Sequence, residues 1–321
     1  MAAREARKGT SKFKIKNWKA YEASLIQRGS IHFWIHDKAI EEWTLRTDTK
    51  KPGRPQDYSD LAIQTCLSLR LIYKLALRQT EGFVNSLLLL MNLDLKSPDH
   101  TTLSRRLEIL KVLREKLKNV PKDDPIHVLV DSTGLKIYGV GEWEEAKHGQ
   151  GKRKGWMKLH LGIDESSREI KASTMTDHVT SDSSQVMPLL KQIECEIGDV
   201  KADGAYDRDS VLQIIKTIGI QGKGIFPPRS DAILSENWKE EPTQRDLNIL
   251  RIYTDGKEIW EYASGYSKRN LVENAMFRYK NNIGLKLRAR SVKKQKSETK
   301  IGVHLLNQMT RLGMPISERI R

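Results

Sequence analysis

The stretch IHVLVDST, residues 126–133, decides the fold class of this chain. Apolar residues fill four of the five positions before Asp131, and a short run of this kind is typical of a buried strand. We expect this strand to end at Asp131. The residues downstream predict strands over 156–163, 170–175, 200–203 and 222–226, and helices over 183–193 and 210–218. Strands followed by strand–helix alternation favour a mixed α/β sheet.

A second acid stands at the end of a later predicted strand, in VKADGAYD, residues 200–207. A carboxylate at a strand end is held by the strand behind it and faces the open edge of the sheet. If the strands are neighbours, Asp131 and Asp203 can share a pair of divalent cations that activate a phosphodiester. Oxygen ligands favour Mg²⁺ or Mn²⁺. The alternative is that both are ordinary surface acids.

A third acid lies in YSKRNLVENAMFRYK, residues 266–280, which has the spacing Tyr-x2-Arg-x3-Glu-x6-Lys. On a helix predicted over 269–283, Arg269, Glu273 and Lys280 fall close to one face. One acid directed toward metals and two cations directed toward phosphates suit chemistry on DNA. The alternative is an exposed Arg–Glu pair, which stabilises a helix by only about 0.3–0.5 kcal/mol.

This spacing resembles the signature of the DDE transposases of bacterial insertion sequences, in particular the insertion-sequence-five family. The neighbouring motifs are similar as well. They are DSTGLK at 131–136, WMKLH at 156–160, ADGAYD at 202–207, and Gly53-Arg54-Pro55 followed by Tyr58-Ser59-Asp60. The resemblance covers roughly residues 53–284, which is most of the chain.

The resemblance implies a ribonuclease-H-like core and a transposition reaction at the terminal repeats of a mobile element. Transferred position by position, the catalytic metal ligands are Asp131, Asp203 and Glu273. The cofactor implied is a pair of Mg²⁺ ions, with Mn²⁺ as a substitute. The residues that would assist at the cleaved DNA end are Tyr266, Arg269 and Lys280.

The region before the sheet is predicted to be helical. Helices are expected from Asp57 or Ser59 to about residue 77, over 80–91, and from an N-cap at Asp99 to about residue 117. These helices could form a helix-turn-helix unit whose recognition helix carries Arg105 and Arg106 to DNA. A plain helical bundle with a basic face is the alternative.

Positive charge is the strongest feature of the composition. The chain has 56 Lys+Arg against 41 Asp+Glu, a formal net charge of +15, and so attracts polyanions such as nucleic acid. The loop over 147–155 contributes Lys152, Arg153 and Lys154 among its glycines. We expect a phosphate contact there, with a solvated loop as the alternative.

Four regions follow from these patterns. Residues 1–56 form a basic arm and linker, and residues 57–120 form the helical DNA-binding region. Residues 121–290 form the catalytic domain, with an insertion at about 229–262. Residues 291–321 form a basic tail with a short helix over 301–312, and the run over 288–300 is expected to be mobile.

The sequence therefore predicts a metal-dependent DDE transposase in the cytoplasm, associated with the nucleoid. Its partners are double-stranded DNA, as terminal inverted repeats and target, and further copies of itself assembled on that DNA. No membrane is expected, because no apolar run approaches the roughly 20 residues of a spanning helix. The alternatives are a catalytically silent, transposase-derived DNA-binding regulator and a ribonuclease-H-like structure-specific nuclease.

Overall fold

The structure, a computed structural model, describes residues 12–45, 57–110, 112, 125–137, 155–218, 220 and 222–320. Its helices are α1 (Trp18–Gln27), α2 (Ile31–Trp34), α3 (Asp37–Glu41), α4 (Asp60–Ile72), α5 (Leu77–Leu90), α6 (His100–Ile109), α7 (Val186–Leu190), α8 (Asp209–Thr217), α9 (Gln244–Asp255), α10 (Lys257–Ala263), α11 (Asn270–Asn282) and α12 (Val292–Leu312). Its strands are β1 (Lys12–Ile15), β2 (Ile126–Ile137), β3 (Trp156–Asp164), β4 (Ile170–Thr176), β5 (Ile197–Lys201), β6 (Gly224–Ile225), β7 (Lys286–Leu287) and β8 (Ser317–Ile320).

A six-stranded mixed sheet forms the centre of the described chain. Five strands follow the order β4-β3-β2-β5-β6, and β7 pairs with the far end of β2. Strand β3 is antiparallel to both of its neighbours, β4 and β2, whereas β5 runs parallel to β2 and β6 runs parallel to β5. The predicted mixed α/β architecture is therefore confirmed.

The central strand is longer than predicted. We expected it to end at Asp131, but β2 continues to Ile137 because antiparallel pairing with β3 persists as far as Lys136. Alternation along β2 supplies two cores. Leu129 and Leu135 point into the cluster formed with the N-terminal and C-terminal helices, and Val128 and Val130 point into a second cluster on the other face.

The three helices predicted between residues 57 and 117 are present with different bounds: α5 begins at Leu77 rather than at residue 80, and residues 113–117 lie outside the described part of the chain. Ser59 caps α4 by accepting a hydrogen bond from the Ala62 backbone N–H at 3.0 Å. The helix ends at Ile72 rather than near residue 77, because Lys74 adopts a left-handed φ of 55° that α-helix does not allow. Asp99 caps α6 as predicted, by accepting from the N–H groups of Thr101 and Thr102.

The predicted N-terminal arm is folded over residues 12–45. Trp34 and Trp43 are 3% and 1% exposed, and the Trp43 indole N–H donates to the Lys96 carbonyl at 2.8 Å. Further toward the N-terminus, β1 pairs with β8. Residues 12–45, which were predicted to belong to a basic arm and linker, therefore fold around buried aromatic side chains, and residues 46–56 of that segment lie outside the described residues.

The C-terminal segment was predicted wrongly as a mobile run followed by a short helix. Instead, α12 is one helix of 21 residues that begins at Val292. Two of its polar residues, Gln295 and Glu298, are buried and bind backbone groups. The Glu298 carboxylate accepts from the N–H groups of Arg288 and Ala289 at 2.8 Å each, and the Gln295 amide donates to the Ala289 carbonyl. Low hydrophobicity therefore did not indicate exposure here.

Within the described residues, no helix combines the length and the apolar character needed to cross a lipid bilayer.

Candidate active site

Asp131 and Asp203 lie side by side where β5 ends beside β2. Leu129 of β2 is paired with Lys201 of β5, the last residue of that strand. Two residues further along each chain are Asp131 and Asp203, and residues i and i+2 share a face of a strand. The side chain of Asp131 is 13% exposed and that of Asp203 is 39% exposed.

Each aspartate is oriented by a backbone N–H. Asp131 Oδ1 accepts from Ser132 N–H at 2.7 Å, and Asp203 Oδ1 accepts from Ala205 N–H at 2.9 Å. Burial raises the pKa of the Asp131 carboxyl above its usual range, although the Ser132 N–H and the Arg269 charge act in the opposite direction. The second oxygen of each group is directed toward the same guanidinium.

Arg269 joins the two aspartates to Glu273. Its Nη2 lies 2.6 Å from Asp131 Oδ2 and 3.9 Å from Asp203 Oδ2, and its Nη1 lies 2.7 Å from Glu273 Oε1. Arg269 ends a short 3-10 turn, Tyr266–Arg269, and Glu273 lies one helical turn later on α11. Three acids that are far apart in sequence thus share one cation.

The charges of this group explain the state of Arg269. Burial alone would lower the pKa of the Arg269 guanidinium, but the negative charge of Asp131, followed by Tyr266, Glu273 and Asp203, raises it. Three carboxylates and one guanidinium leave two formal negative charges at this point, three minus one. The site is therefore suited to further positive charge.

The donor set is compatible with a hard divalent cation, because all the side-chain donors are carboxylate oxygens. Among the residues that the structure describes, however, no three His, Cys, Asp or Glu side chains are grouped closely enough to hold a metal ion as they stand. Arg269 contacts the carboxylate oxygens at the point where the acids approach one another.

A partly buried ion network fixes the turn that carries Arg269, with Glu165 and Lys201 buried and Lys268 exposed. Glu165 Oε2 lies 2.6 Å from Lys201 Nζ, and Glu165 Oε1 lies 2.5 Å from Lys268 Nζ. Burial would raise the pKa of Glu165, but hydrogen bonds from both lysines outweigh it and lower that pKa. Gly265, with φ of +64°, starts the turn at a point where a Cβ would lie 3.3 Å from Lys201 Nζ. The sheet and the turn are thus joined through one carboxylate.

Sequence reasoning missed this network. The available signal was Lys201 between Val200 and Ala202 in a predicted strand, because a lysine among apolar residues needs a charged partner if it is buried. Lys201 is indeed only 5% exposed. The sequence did not identify Glu165 as that partner, since it follows a different strand.

A second polar cluster lies next to the acids. His160 is fully buried, with Nε2 2.8 Å from Thr176 Oγ1, and burial lowers its pKa to about 4. Asp182 accepts from Lys158 Nζ at 3.0 Å. Burial raises the pKa of the Tyr206 hydroxyl far above its usual value, and the charges of nearby Asp131, Asp182 and Asp203 act in the same direction. His160, Lys158 and Tyr206 lie in the motifs at 156–160 and 202–207, but the sequence did not indicate that Asp182 lies beside them.

The residues predicted to contact DNA have different surroundings. Arg106 is 8% exposed and binds Asp60 Oδ1 at 2.6 Å and the Tyr58 carbonyl at 2.9 Å, so it serves the packing of α6 against α4. Arg105 is exposed. Tyr266 is half-buried, with its ring 5.4 Å from that of Trp260. Lys280, also half-buried, lies seven residues after Glu273 on α11. Three further residues that were predicted to contact DNA fall outside the described part of the chain, namely Lys152, Arg153 and Lys154.

Two protein-family models match this chain, and both are described as a transposase DDE domain. One matches residues 26–140 and the other matches residues 122–308. A solved structure described as a piggyBac transposase synaptic complex with hairpin DNA aligns with 89% of this chain and 73% of that chain. The alignment has 11% sequence identity and a TM-score of 0.41.

Proposed function

The chain belongs to the family of DDE transposases, and on that premise we propose that it acts at the ends of an insertion sequence. It binds the terminal inverted repeats, cuts the DNA and joins the cut strand to a target in a metal-dependent reaction. The residues that carry the chemistry are Asp131, Asp203 and Glu273.

The observation that carries this proposal is the meeting of the three acids at one guanidinium. They come from β2, from the residues after β5 and from α11, and positions 131 and 273 lie far apart in the chain. Surface acids placed by chance would not share one partly buried partner. The sheet order β4-β3-β2-β5-β6, with β2 antiparallel to β3 and parallel to β5, supports a ribonuclease-H-like core.

Asp131, Asp203 and Glu273 would hold two Mg²⁺ ions, or Mn²⁺ in their place. When bound, such a pair activates the attacking water or sugar hydroxyl and stabilises the charge on the leaving oxygen. The chain's own contribution is rigidity. Asp131 is held within a paired strand and by the Ser132 N–H, and the Glu165 network holds the turn before Glu273.

The DNA-contacting residues are proposed as two groups. Tyr266, Arg269 and Lys280 lie on the turn and helix that carry Glu273, so they would bind the cleaved DNA end. Arg105, at the exposed face of α6, and the basic segment Lys152, Arg153 and Lys154 would bind the flanking duplex. The helices between residues 57 and 120 would form the DNA-binding region, and further copies of the chain would assemble on the paired ends.

The test is cleavage of a labelled duplex that carries the inverted repeats flanking the gene, in Mg²⁺ or Mn²⁺ and in chelator. Asp131→Asn, Asp203→Asn and Glu273→Gln each keep the shape of the side chain but remove the charge that attracts a hard cation. We expect each change to abolish cutting and joining, with DNA affinity within about threefold of the parent. Lys280→Ala should be milder, because it weakens the grip on the DNA end.

The outcomes separate the alternatives. Cutting by Asp131→Asn at the parent rate, or cutting by the parent in chelator, would exclude this metal-dependent site. Repeat-specific binding without cutting in either metal would indicate the regulator. Cutting at branched DNA without joining would indicate the nuclease.

A further inference from the structure

Arg269 forms hydrogen bonds with carboxylate oxygens that a metal ion would need as ligands. The carboxylate oxygens Asp131 Oδ2 and Glu273 Oε1 lie 2.6 Å and 2.7 Å from its two terminal nitrogens. A divalent cation coordinates carboxylate oxygen at about 2.0–2.6 Å. A hard cation placed at these oxygens would therefore compete with the guanidinium for their lone pairs and would be repelled by its positive charge.

The contact is more than a loose surface pair. The Arg269 side chain is 16% exposed and that of Asp131 is 13% exposed, and Arg269 Nε is buried without a hydrogen-bond partner among the described residues. Charge-assisted hydrogen bonds from a planar guanidinium are strong where solvent is excluded. Any cation entering the site must compete with this interaction.

We propose that Arg269 acts as an internal counter-ion in the DNA-free protein and competes with divalent metal for Asp131 and Glu273. The competition ends when Arg269 binds a DNA phosphate instead. This inference rests on the proposed function and adds a regulation to the same site. Without DNA, the guanidinium weakens metal binding. With DNA, Arg269 binds a phosphate of the DNA end, and the acids become available.

The local structure allows the side chain to move while the turn stays in place. The turn is attached to the sheet through Lys268, Glu165 and Lys201, and none of these residues uses Arg269 as a partner. Guanidinium binds phosphate in the same two-pronged manner as carboxylate. Because coupling between two ligands is reciprocal, DNA should raise metal affinity by the same factor by which metal raises DNA affinity.

The experiment measures Mn²⁺ binding to the full chain without DNA, from the electron paramagnetic resonance signal of free Mn²⁺. The parent is compared with Arg269→Gln, which removes the charge, and with Arg269→Lys, which keeps the charge but loses the planar fork. The control is Arg311→Gln, which breaks a partly buried 2.7 Å Arg–Glu pair that does not involve the three acids. Asp131→Asn identifies binding at the acids.

We expect the dissociation constant for Mn²⁺ to fall about tenfold in Arg269→Gln, as for the loss of one competing interaction of ordinary strength. It should fall less in Arg269→Lys and stay unchanged in Arg311→Gln. Adding a terminal-repeat duplex should tighten Mn²⁺ binding to the parent several-fold and change it little in Arg269→Gln. Thermal unfolding followed by circular dichroism should show a larger gain in Tm from Mn²⁺ for Arg269→Gln than for the parent.

Two results would overturn the inference in distinguishable ways. If Mn²⁺ binding is sensitive to Asp131→Asn but no tighter in either Arg269 variant, the competition is absent and the metal site stands. If Asp131→Asn leaves Mn²⁺ binding unchanged in the parent and in both Arg269 variants, with or without DNA, the metal site of the proposed function fails as well. Arg269→Lys keeps the test available if Arg269→Gln does not fold.

Discussion

At the scale of single residues, burial decides what a charge can do. Arg105 and Arg106 are adjacent in sequence, yet Arg105 is exposed and Arg106 is buried. Arg106 is only 8% exposed and is bound to Asp60 and to the Tyr58 carbonyl. The sequence offered both as DNA contacts, because helical position alone does not show which side faces the neighbouring helix. The two arginines should therefore separate stability from DNA binding.

Arg106→Gln should lower the free energy of unfolding by about 1–2 kcal/mol, because the partly buried Tyr58 carbonyl and the Asp60 carboxylate lose their charged donor. Arg105→Gln should stay within about 0.5 kcal/mol of the parent. The DNA affinities should follow the reverse order, with the larger loss for Arg105→Gln. Urea unfolding and fluorescence anisotropy of a labelled duplex measure the two quantities. A stable Arg106→Gln protein with the larger loss of DNA affinity would contradict this division.

His160 gives a second residue-scale prediction, on pH. Burial lowers its pKa from 6.5 to about 4, with Asp182 opposing the shift and Lys158 adding to it. Below pH 6.5 His160 becomes protonated in the unfolded chain, whereas in the folded chain it stays neutral until about pH 4. The contribution of neutral His160 is therefore fully present above pH 6.5, and it is lost as the pH falls toward the folded-state pKa.

The parent should lose about 2–3 kcal/mol more than His160→Gln between pH 7 and pH 4.5, since each pKa unit corresponds to about 1.4 kcal/mol. Glutamine can still reach the Thr176 hydroxyl and does not titrate. Urea unfolding at a series of pH values measures the difference, and taking the difference removes the other titrating groups. Parallel stability curves for the two proteins would show that His160 does not bind its proton in this way.

At the scale of elements, periodicity and capping residues predicted much of the architecture. Five of the six strands of the sheet, the Ser59 and Asp99 caps and the helix that carries Glu273 followed from local sequence, whereas β7 was not predicted. The errors came from partners distant in sequence. β2 continues past Asp131 because β3 pairs with it, and α12 begins at Val292 because its buried polar groups bind the backbone near residue 288. The Glu165 network was missed for the same reason.

The packing of α12 against α11 gives an element-scale prediction. A Cβ added at Gly302 would lie 2.6 Å from the Tyr279 hydroxyl, and Tyr279 is only 2% exposed. Gly302→Ala should therefore lower the free energy of unfolding by about 1–3 kcal/mol through overpacking. The control is Gly82→Ala in α5, where nothing lies within 4 Å of the added carbon.

Gly82→Ala should instead gain up to about 1 kcal/mol, because alanine favours the helix. Urea unfolding compares the two substitutions directly. Because Tyr279 lies on the helix that carries Glu273, any cleavage defect of Gly302→Ala should exceed that of Gly82→Ala. Equal effects of the two substitutions on stability would mean that α11 and α12 do not pack this closely.

At the scale of the whole molecule, opposite charges are arranged in separate places. The chain carries a net charge of +15, yet three carboxylates gather around one arginine at the point where β5 ends beside β2. A basic protein surface attracts the DNA backbone, while the acidic site attracts cations and repels phosphate until its charge is neutralised. The sequence predicted both features. It did not predict that Arg269 would contact all three acids, because that contact depends on how the turn at 266–269 lies over β2 and β5.

The overall charge predicts steep salt dependence of DNA binding, because each Lys or Arg that contacts a phosphate releases condensed counterions. If Lys152, Arg153 and Lys154 each contact one phosphate, replacing all three with Gln should reduce the slope of log K against log salt concentration by about 2.7. The matched control replaces Lys293, Lys296 and Lys300, exposed residues of α12, and lowers the net charge by the same amount. Anisotropy titrations between 50 and 300 mM KCl, roughly the range over which phosphate contacts weaken binding strongly, give both slopes. A smaller slope in the 152–154 variant alone would place this segment on the DNA. Equal slopes in the two variants would mean that the segment acts only through the net charge of the protein.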